Sequence, residues 1–331
     1  MAEINQQSGS ATASPTGGGA RAAPARRWIQ PTVLSRLGNL ELLARAVVDG
    51  LLTGLHRSPH FGFSQEFAEY RAYNEGDDLR FVDWNVYART DKTYIKRFRG
   101  DTNTSLTLLL DASGSMAFGS QSLDQGNAAQ TDVDKLTKFD YARYLVASLA
   151  YLANKQHDAV GLVVFDNAVK TVIPPSSRPD TLPRIFSALE NAQASAETNI
   201  ADALDSLHTL SAKRGLVAVV SDFYTDPEKL ASTLQPLVHR QQDMVMFHLL
   251  DPVEMNPQFK EVVSLSDLET GERTDVDPQW MESTYRERIQ QHCDALESST
   301  LRSGVDYRRI VTDEPLDDTL QRYLLFRQRK Q

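Results

Sequence analysis

Asp111, Ser113 and Ser115 alternate in the run Leu106-Thr-Leu-Leu-Leu-Asp-Ala-Ser-Gly-Ser-Met116. One carboxylate and two hydroxyls offer only hard oxygen donors, which suit Mg²⁺, Mn²⁺ or Ca²⁺ and not zinc. A second carboxylate, Asp222, closes another apolar run, Leu216 to Ser221. A further hydroxyl comes from Ala196-Glu-Thr-Asn-Ile-Ala-Asp-Ala-Leu, where Thr198 precedes a helix expected over Ile200 to Leu210. Thr198 has an ordinary role there as an N-cap. A serine-rich turn after a strand is common, so Asp-x-Ser-x-Ser alone is a weak signal. The coincidence of three loops is what matters. Together they make Asp111, Ser113, Ser115, Thr198 and Asp222 a candidate site for a divalent cation, Mg²⁺ first, with Mn²⁺ or Ca²⁺ as alternatives.

These residues need a scaffold that brings three loops to one edge. The Leu106 run is short, apolar and stopped at once by Ser113, Gly114 and Ser115, which fits a strand buried on both faces. Strands are also expected over Ala159–Phe165, Leu216–Ser221, Met244–Leu250 and Tyr307–Val311. Asp166-Asn167 reads as a tight turn into an edge strand from Ala168 to Ile173. Helices are expected at Phe139–Gln156, Leu182–Leu189, from Asp226-Pro227 to His239, from Asp277-Pro278 onward, and at Leu316–Arg327. Glu261 to Val276 reads as a hairpin with Glu269-Thr-Gly271 at its turn, and Ala117 to Thr137 as a polar loop. Alternating strands and helices predict an α/β fold, a doubly wound, mostly parallel sheet with one antiparallel edge strand. In such sheets ligands bind at the carboxyl ends of the strands, where the strand order reverses.

Ahead of that domain, residues 1–28 are rich in Ala, Gly, Ser and Pro and read as a disordered tail. Residues 29–100 form an N-terminal arm, and 101–331 the main domain. Leu34, Leu37, Leu40, Leu43, Val47, Leu51 and Leu55 give one helical apolar face, expected to pack on the protein's own domain. Phe67, Tyr70 and Tyr73, with Tyr94, Ile95 and Phe98, suggest short strands. Asp77, Asp78, Arg80 and Asp83 are expected in an ion-pair lattice around Trp84 that fixes the arm to the domain.

Composition narrows the function. A net charge of −9 over 331 residues argues against a general nucleic-acid binder. The single cysteine, Cys293, excludes an internal disulfide and a cysteine metal cluster. No apolar run approaches the roughly 20 residues of a membrane span, and the Arg21, Arg26 and Arg27 segment lacks a signal peptide's apolar stretch. The expected location is cytoplasmic. A haloacid-dehalogenase-type phosphohydrolase or phosphotransferase also uses an Asp after a strand, but it needs a carboxylate two residues on, where this chain has Ser113. Gly114 to Ser120 lacks the lysine of a phosphate-binding loop, and no Gly-x-Gly-x-x-Gly or His-Glu-x-x-His is present. His157, His208, His239 and His292 have no ligand spacing, and Cys293 is expected on the core side of a helix.

The Asp-x-Ser-x-Ser run, the Thr before a helix and the Asp ending the fourth sheet strand resemble the metal-ion-dependent adhesion site of von Willebrand factor A domains. Ser64-Gln-Glu-Phe-Ala-Glu-Tyr-Arg, Gly76-Asp-Asp-Leu-Arg-Phe-Val-Asp-Trp and Ala88-Arg-Thr-Asp-Lys resemble the preceding segment in bacterial proteins of "domain of unknown function 58" (DUF58). Such proteins are typically encoded beside MoxR-type AAA+ ATPases. The resemblance spans about Leu34 to Arg327. It implies a von Willebrand factor A-like, Rossmann-type fold in which Ser113, Ser115 and Thr198 bind the metal directly, with Asp111 and Asp222 acting mostly through water. It further implies a non-enzymatic interaction module. Its partners would be a MoxR-type AAA+ ATPase, a client protein offering a carboxylate, or both. Two departures stand out: many relatives are membrane-anchored ahead of this segment whereas no anchor is seen, and the Gly119–Thr137 loop is long and polar, able to screen the site or contribute to it.

Overall fold

The protein is described by a computed structural model that covers residues 38–56, 66–73, 82–99, 105–119, 136–195, 215–240, 242–259, 262–266, 268 and 273–330. The 1–28 tail, Asp77, Asp78, Arg80, most of the Gly119–Thr137 loop, Thr198, the 200–210 helix and the Glu269–Gly271 turn lie outside the described residues.

The arm begins with α1 (Leu40–His56), whose Leu40, Leu43, Ala44, Val47, Val48 and Leu51 are buried in the main core. Then come β1 (Glu66–Ala72), α2 (Trp84–Thr90) and β2 (Tyr94–Arg99), the two strands pairing antiparallel in a small sheet of their own. Asp83 is the N-cap of α2, accepting from the backbone N–H groups of Asn85 and Val86. Trp84 is 60% exposed, its ring edge-on to Tyr87 with centroids 6.1 Å apart. Of the charges expected around it, Asp83 is buried, and Asp77, Asp78 and Arg80 lie outside the described residues.

The main domain follows as β3 (Ser105–Asp111), α3 (Lys138–Lys155), β4 (Ala159–Phe165), β5 (Val169–Ser176), α4 (Thr181–Asn191), β6 (Gly215–Ser221), α5 (Pro227–His239), β7 (Asp243–Leu250) and the short α6 (Pro252–Met255). A hairpin of β8 (Val263–Ser266) and β9 (Arg273–Val276) leads through Pro278–Trp280 and a π turn, Met281–Tyr285, into α7 (Arg286–Arg302). The chain closes with β10 (Asp306–Val311) and α8 (Leu316–Lys330).

Six strands form one sheet in the order β10-β7-β6-β3-β4-β5, all pairs parallel except β4–β5. Every residue of β6 is buried, and all of β3 beyond Ser105. Both faces are covered, which is why these strands read as unbroken apolar runs. Side chains alternate between two cores. Leu106, Leu108 and Leu110 face α1, α3, α4 and α8, whereas Leu109 packs with Leu230, Leu234 and Leu237 of α5 and Leu296 of α7. Pro174 and Pro175 sit in β5, the antiparallel edge strand, where a missing N–H is tolerated. The chain leaves β3 toward β4 and β5 on one side, then returns to β6, β7 and β10 on the other. The strand order therefore reverses between β3 and β6, the strands that end in Asp111 and Ser221-Asp222.

Candidate metal centre

Parallel pairing in register brings the carboxyl ends of β3 and β6 side by side. Asp111 is the last residue of β3, and Ser113 and Ser115 follow in a loop that closes as one 3₁₀ turn, Gly114–Ala117. Backbone hydrogen bonds hold this loop on both flanks: the Ala112 N–H donates to the Phe165 carbonyl at 2.7 Å, and the Ser195 N–H donates to the Ala112 carbonyl at 2.8 Å. Both Asp111 oxygens are fixed. Oδ1 accepts from the Ser113 backbone N–H at 2.9 Å, and Oδ2 accepts from the Ser221 hydroxyl at 2.5 Å. The Ser113 and Ser115 hydroxyl oxygens are 3.1 Å apart.

Asp111 is buried, and burial is the main cause that pushes its carboxyl up to about 7, with the Asp222 charge second; the hydrogen bonds from Ser221 and Ser113 work the other way. Among the described residues, no cation contributes to holding this carboxylate ionised.

Asp222 is differently placed. Lys138, the first residue of α3, is 0% exposed, and its ammonium donates to Asp222 Oδ2 at 2.9 Å and to Glu254 Oε1 at 2.7 Å. The same Glu254 oxygen accepts from the Tyr224 hydroxyl at 3.0 Å, and its other oxygen from the Asp251 N–H at 2.7 Å, closing the capping box of α6. Aromatic rings flank the ammonium, Tyr224 with its centroid at 5.0 Å and Phe118 at 5.8 Å. Burial alone would depress the lysine, but Asp222 and Glu254 outweigh it and hold the ammonium above its ordinary value. Burial raises Glu254, with Lys138 pulling against it. Asp222 therefore has a counter-ion within the chain, which the sequence alone does not reveal.

Two backbone features aim these groups. Phe223 is buried with φ of 47°, the left-handed region that a bulky residue seldom occupies. The Thr225 N–H donates to the Phe223 carbonyl at 2.6 Å, and the Ser221 hydroxyl accepts from the Phe223 N–H at 3.0 Å. That tight turn puts Asp222 and Tyr224 on either side of Lys138, the kind of strain found where a site is held in place. Second, Gly119 lies against the backbone before α3: an added Cβ would sit 2.5 Å from the Leu136 carbonyl oxygen. The Lys138 N–H donates to the Phe118 carbonyl at 2.9 Å. The polar insertion between 119 and 136 thus leaves and re-enters at one point, and its return delivers Lys138 into the site.

Of the five residues expected from the sequence, four are described, and Asp111, Ser113, Ser115 and Asp222 all lie at this edge. Thr198 is outside the described residues. Sequence reasoning missed Ser221, Lys138, Tyr224 and Glu254. Ser221 had a local signal, a hydroxyl one position before Asp222 at a strand end. Among the described residues no group of three or more His, Cys, Asp or Glu is arranged to hold a metal. A cation here would instead rest on the paired hydroxyls of Ser113 and Ser115 with the two carboxylates behind them, a hard-oxygen set that fits Mg²⁺ or Mn²⁺. Asp166, the acid just past the end of β4, is neutralised by Lys170 at 3.1 Å.

No helix among the described residues is long and apolar enough to cross a membrane. An uncharacterized protein of Mycobacterium tuberculosis is 27% identical over 245 residues, 73% of this chain and 72% of the relative. Among solved structures, the conserved hypothetical protein BatB of Bacteroides thetaiotaomicron is similar at 14% identity and a TM-score of 0.44, covering 67% of this chain and 97% of that one. The SpRpn10 VWA domain is similar at 12% identity and a TM-score of 0.39, covering 66% and 94%. The family described as "Protein of unknown function DUF58" matches residues 69–298, well over half of the sequence, and the chain belongs to that family.

Proposed function

We propose that this chain is a non-enzymatic, divalent-cation-dependent interaction module that works with a MoxR-type AAA+ ATPase in the assembly or maturation of other proteins. The observation that carries this reading is the Ser113–Ser115 hydroxyl pair, 3.1 Å apart, beside a buried Asp111 whose two oxygens are already oriented. A bound Mg²⁺ would supply an open coordination position for a carboxylate of the partner. Ser113 and Ser115 would hold the ion as neutral donors, and Asp111 and Asp222 would orient water around it. Thr198 completes the set by resemblance. Ser113 stands where a haloacid-dehalogenase-type enzyme needs its acid/base carboxylate, and a hydroxyl held against Ser115 is no proton donor near neutral pH.

Lys138 favours a second reading, a metal-free scaffold in which the Asp222–Lys138–Glu254 cluster is purely structural. Capture of a MoxR-type ATPase from the same genome, with Mg²⁺ and with EDTA, separates the two. The expected result is capture that needs Mg²⁺ and is lost in Ser113→Ala. Capture that survives both EDTA and that substitution would sink the metal bridge and leave the scaffold.

A further inference from the structure

Lys138 is in the wrong place by two independent criteria. It is fully buried, and it occupies the first turn of α3, where the helix dipole disfavours a cation. An amphipathic helix start has no need of it. What keeps it there is one oxygen of Asp222 and one of Glu254, with the rings of Tyr224 and Phe118 alongside. Glu254 is itself locked, by the Asp251 N–H on one oxygen and the Tyr224 hydroxyl on the other. It is therefore anchored toward the lysine. Asp222, by contrast, faces two ways: toward Lys138 through Oδ2, and across the β3–β6 junction toward Asp111.

We propose that Lys138 is a tethered cation that shares Asp222 with the divalent ion and thereby keeps the ion loosely held, so that a partner's carboxylate completes its binding. This inference rests on the metal reading above and deepens it. The ammonium repels a nearby divalent charge and occupies an oxygen that would otherwise screen it. Glu254 sets the balance by drawing the ammonium away from Asp222. The two residues should therefore act on metal affinity in opposite directions, which simple damage to the fold would not produce.

The test uses the full chain with Mn²⁺ as the probe, the free ion being counted by electron paramagnetic resonance and folding followed by thermal melting. Lys138→Met is expected to tighten Mn²⁺ binding by about tenfold or more, because Asp222 is released and the repulsion is gone. Glu254→Gln leaves the ammonium wholly to Asp222 and should weaken binding by about tenfold. If Lys138→Met does not fold, the double variant Lys138→Met with Glu254→Gln replaces it. That pair keeps the net charge and leaves only Asp222, not Glu254 as well, without its ammonium partner, and it too should bind more tightly than the wild type. Ser113→Ala is the control for the site itself. Mn²⁺ binding that is lost in Ser113→Ala but unchanged by the Lys138 and Glu254 substitutions overturns this inference and leaves the metal site standing. A wild type that binds no Mn²⁺, or binds it regardless of Ser113, overturns both.

Discussion

Asp111 and His248 are buried titratable residues with opposite lessons. Asp111 is a buried acid repelled by Asp222 and held by the Ser113 N–H and the Ser221 hydroxyl. Asp111→Asn keeps the acceptor for Ser113, and the Ser221 hydroxyl can reverse to accept from the new amide. In EDTA at pH 8 the variant is expected to melt no lower than the wild type, and to gain up to about 1 kcal/mol by losing a buried charge. A loss above about 2 kcal/mol would show Asp111 to be a structural acceptor first. His248 lies inside β7 with Nδ1 2.5 Å from the Tyr307 hydroxyl and its ring edge-on to Phe223 and His292. Burial pushes it down to about 3, helped by His292 and Lys138 and opposed by Asp222. A lowered histidine stabilises fully above the unfolded value near 6.5, and that stability is lost as pH falls from there toward about 3. The loss is about 1.4 kcal/mol per pH unit. The difference in stability between wild type and His248→Phe, measured by urea unfolding from pH 7.5 to 5, isolates this slope; a difference independent of pH would refute it.

At the scale of elements, the strands were legible and the loops only in part. Leu106–Leu110 and Leu216–Val220 announce themselves because a strand covered on both faces must be apolar throughout, and Asp111 and Asp222 stand out because each breaks such a run. The Asp226-Pro227 and Asp277-Pro278 starts were readable because capping chemistry is local. Lys138 was not. Its partners are 84 and 116 residues away, and nothing in Leu136-Thr-Lys-Phe139 separates a buried ammonium from a surface one. His248 was missed similarly: one polar residue in a buried strand gives no hint of Tyr307 59 residues on. The π turn at Met281–Tyr285 has no sequence signature, since apolar spacing passes through it. The polar insertion was readable as a loop, but its closure at Gly119 against Leu136 depends on a backbone contact. Gly119→Ala forces the Leu136–Thr137 backbone away, and with it the start of α3. It is expected to cost about 1–3 kcal/mol by urea unfolding. It should also shift the Tyr224 environment, seen as a changed near-ultraviolet circular dichroism band. An unchanged midpoint would show that the insertion's two ends are not pinned together.

For the molecule as a whole, the question is whether a cation holds the fold together or serves only what binds to it. The six-stranded sheet is closed by apolar packing on both faces, with α1 covering α3, and Ala112, Met116 and Phe223 at the Asp111 edge join that burial through apolar side chains that bind no ion. Within the edge, Asp222 already has Lys138, and Asp111 already has two donors. On the proposed reading, a divalent ion would add to a structure that stands without it. Its proposed ligands are neutral hydroxyls and carboxylates committed elsewhere, so a dissociation constant near millimolar is expected, and millimolar Mg²⁺ would then contribute only RT ln 2, ~0.4 kcal/mol. For a domain of this size that moves the melting temperature by about 1 °C. Thermal melts with 1 mM Mg²⁺ and with EDTA, at one pH and ionic strength, measure this directly. The same two samples, offered a carboxylate-bearing partner, should differ far more in capture than in melting, because the partner's bond to the ion is lost outright when the ion is removed. A fall of more than about 5 °C on chelation would reverse the assignment. The ion would then be part of the fold, Lys138 would be a secondary counter-ion, and loss of capture in EDTA would report unfolding instead of a missing bridge.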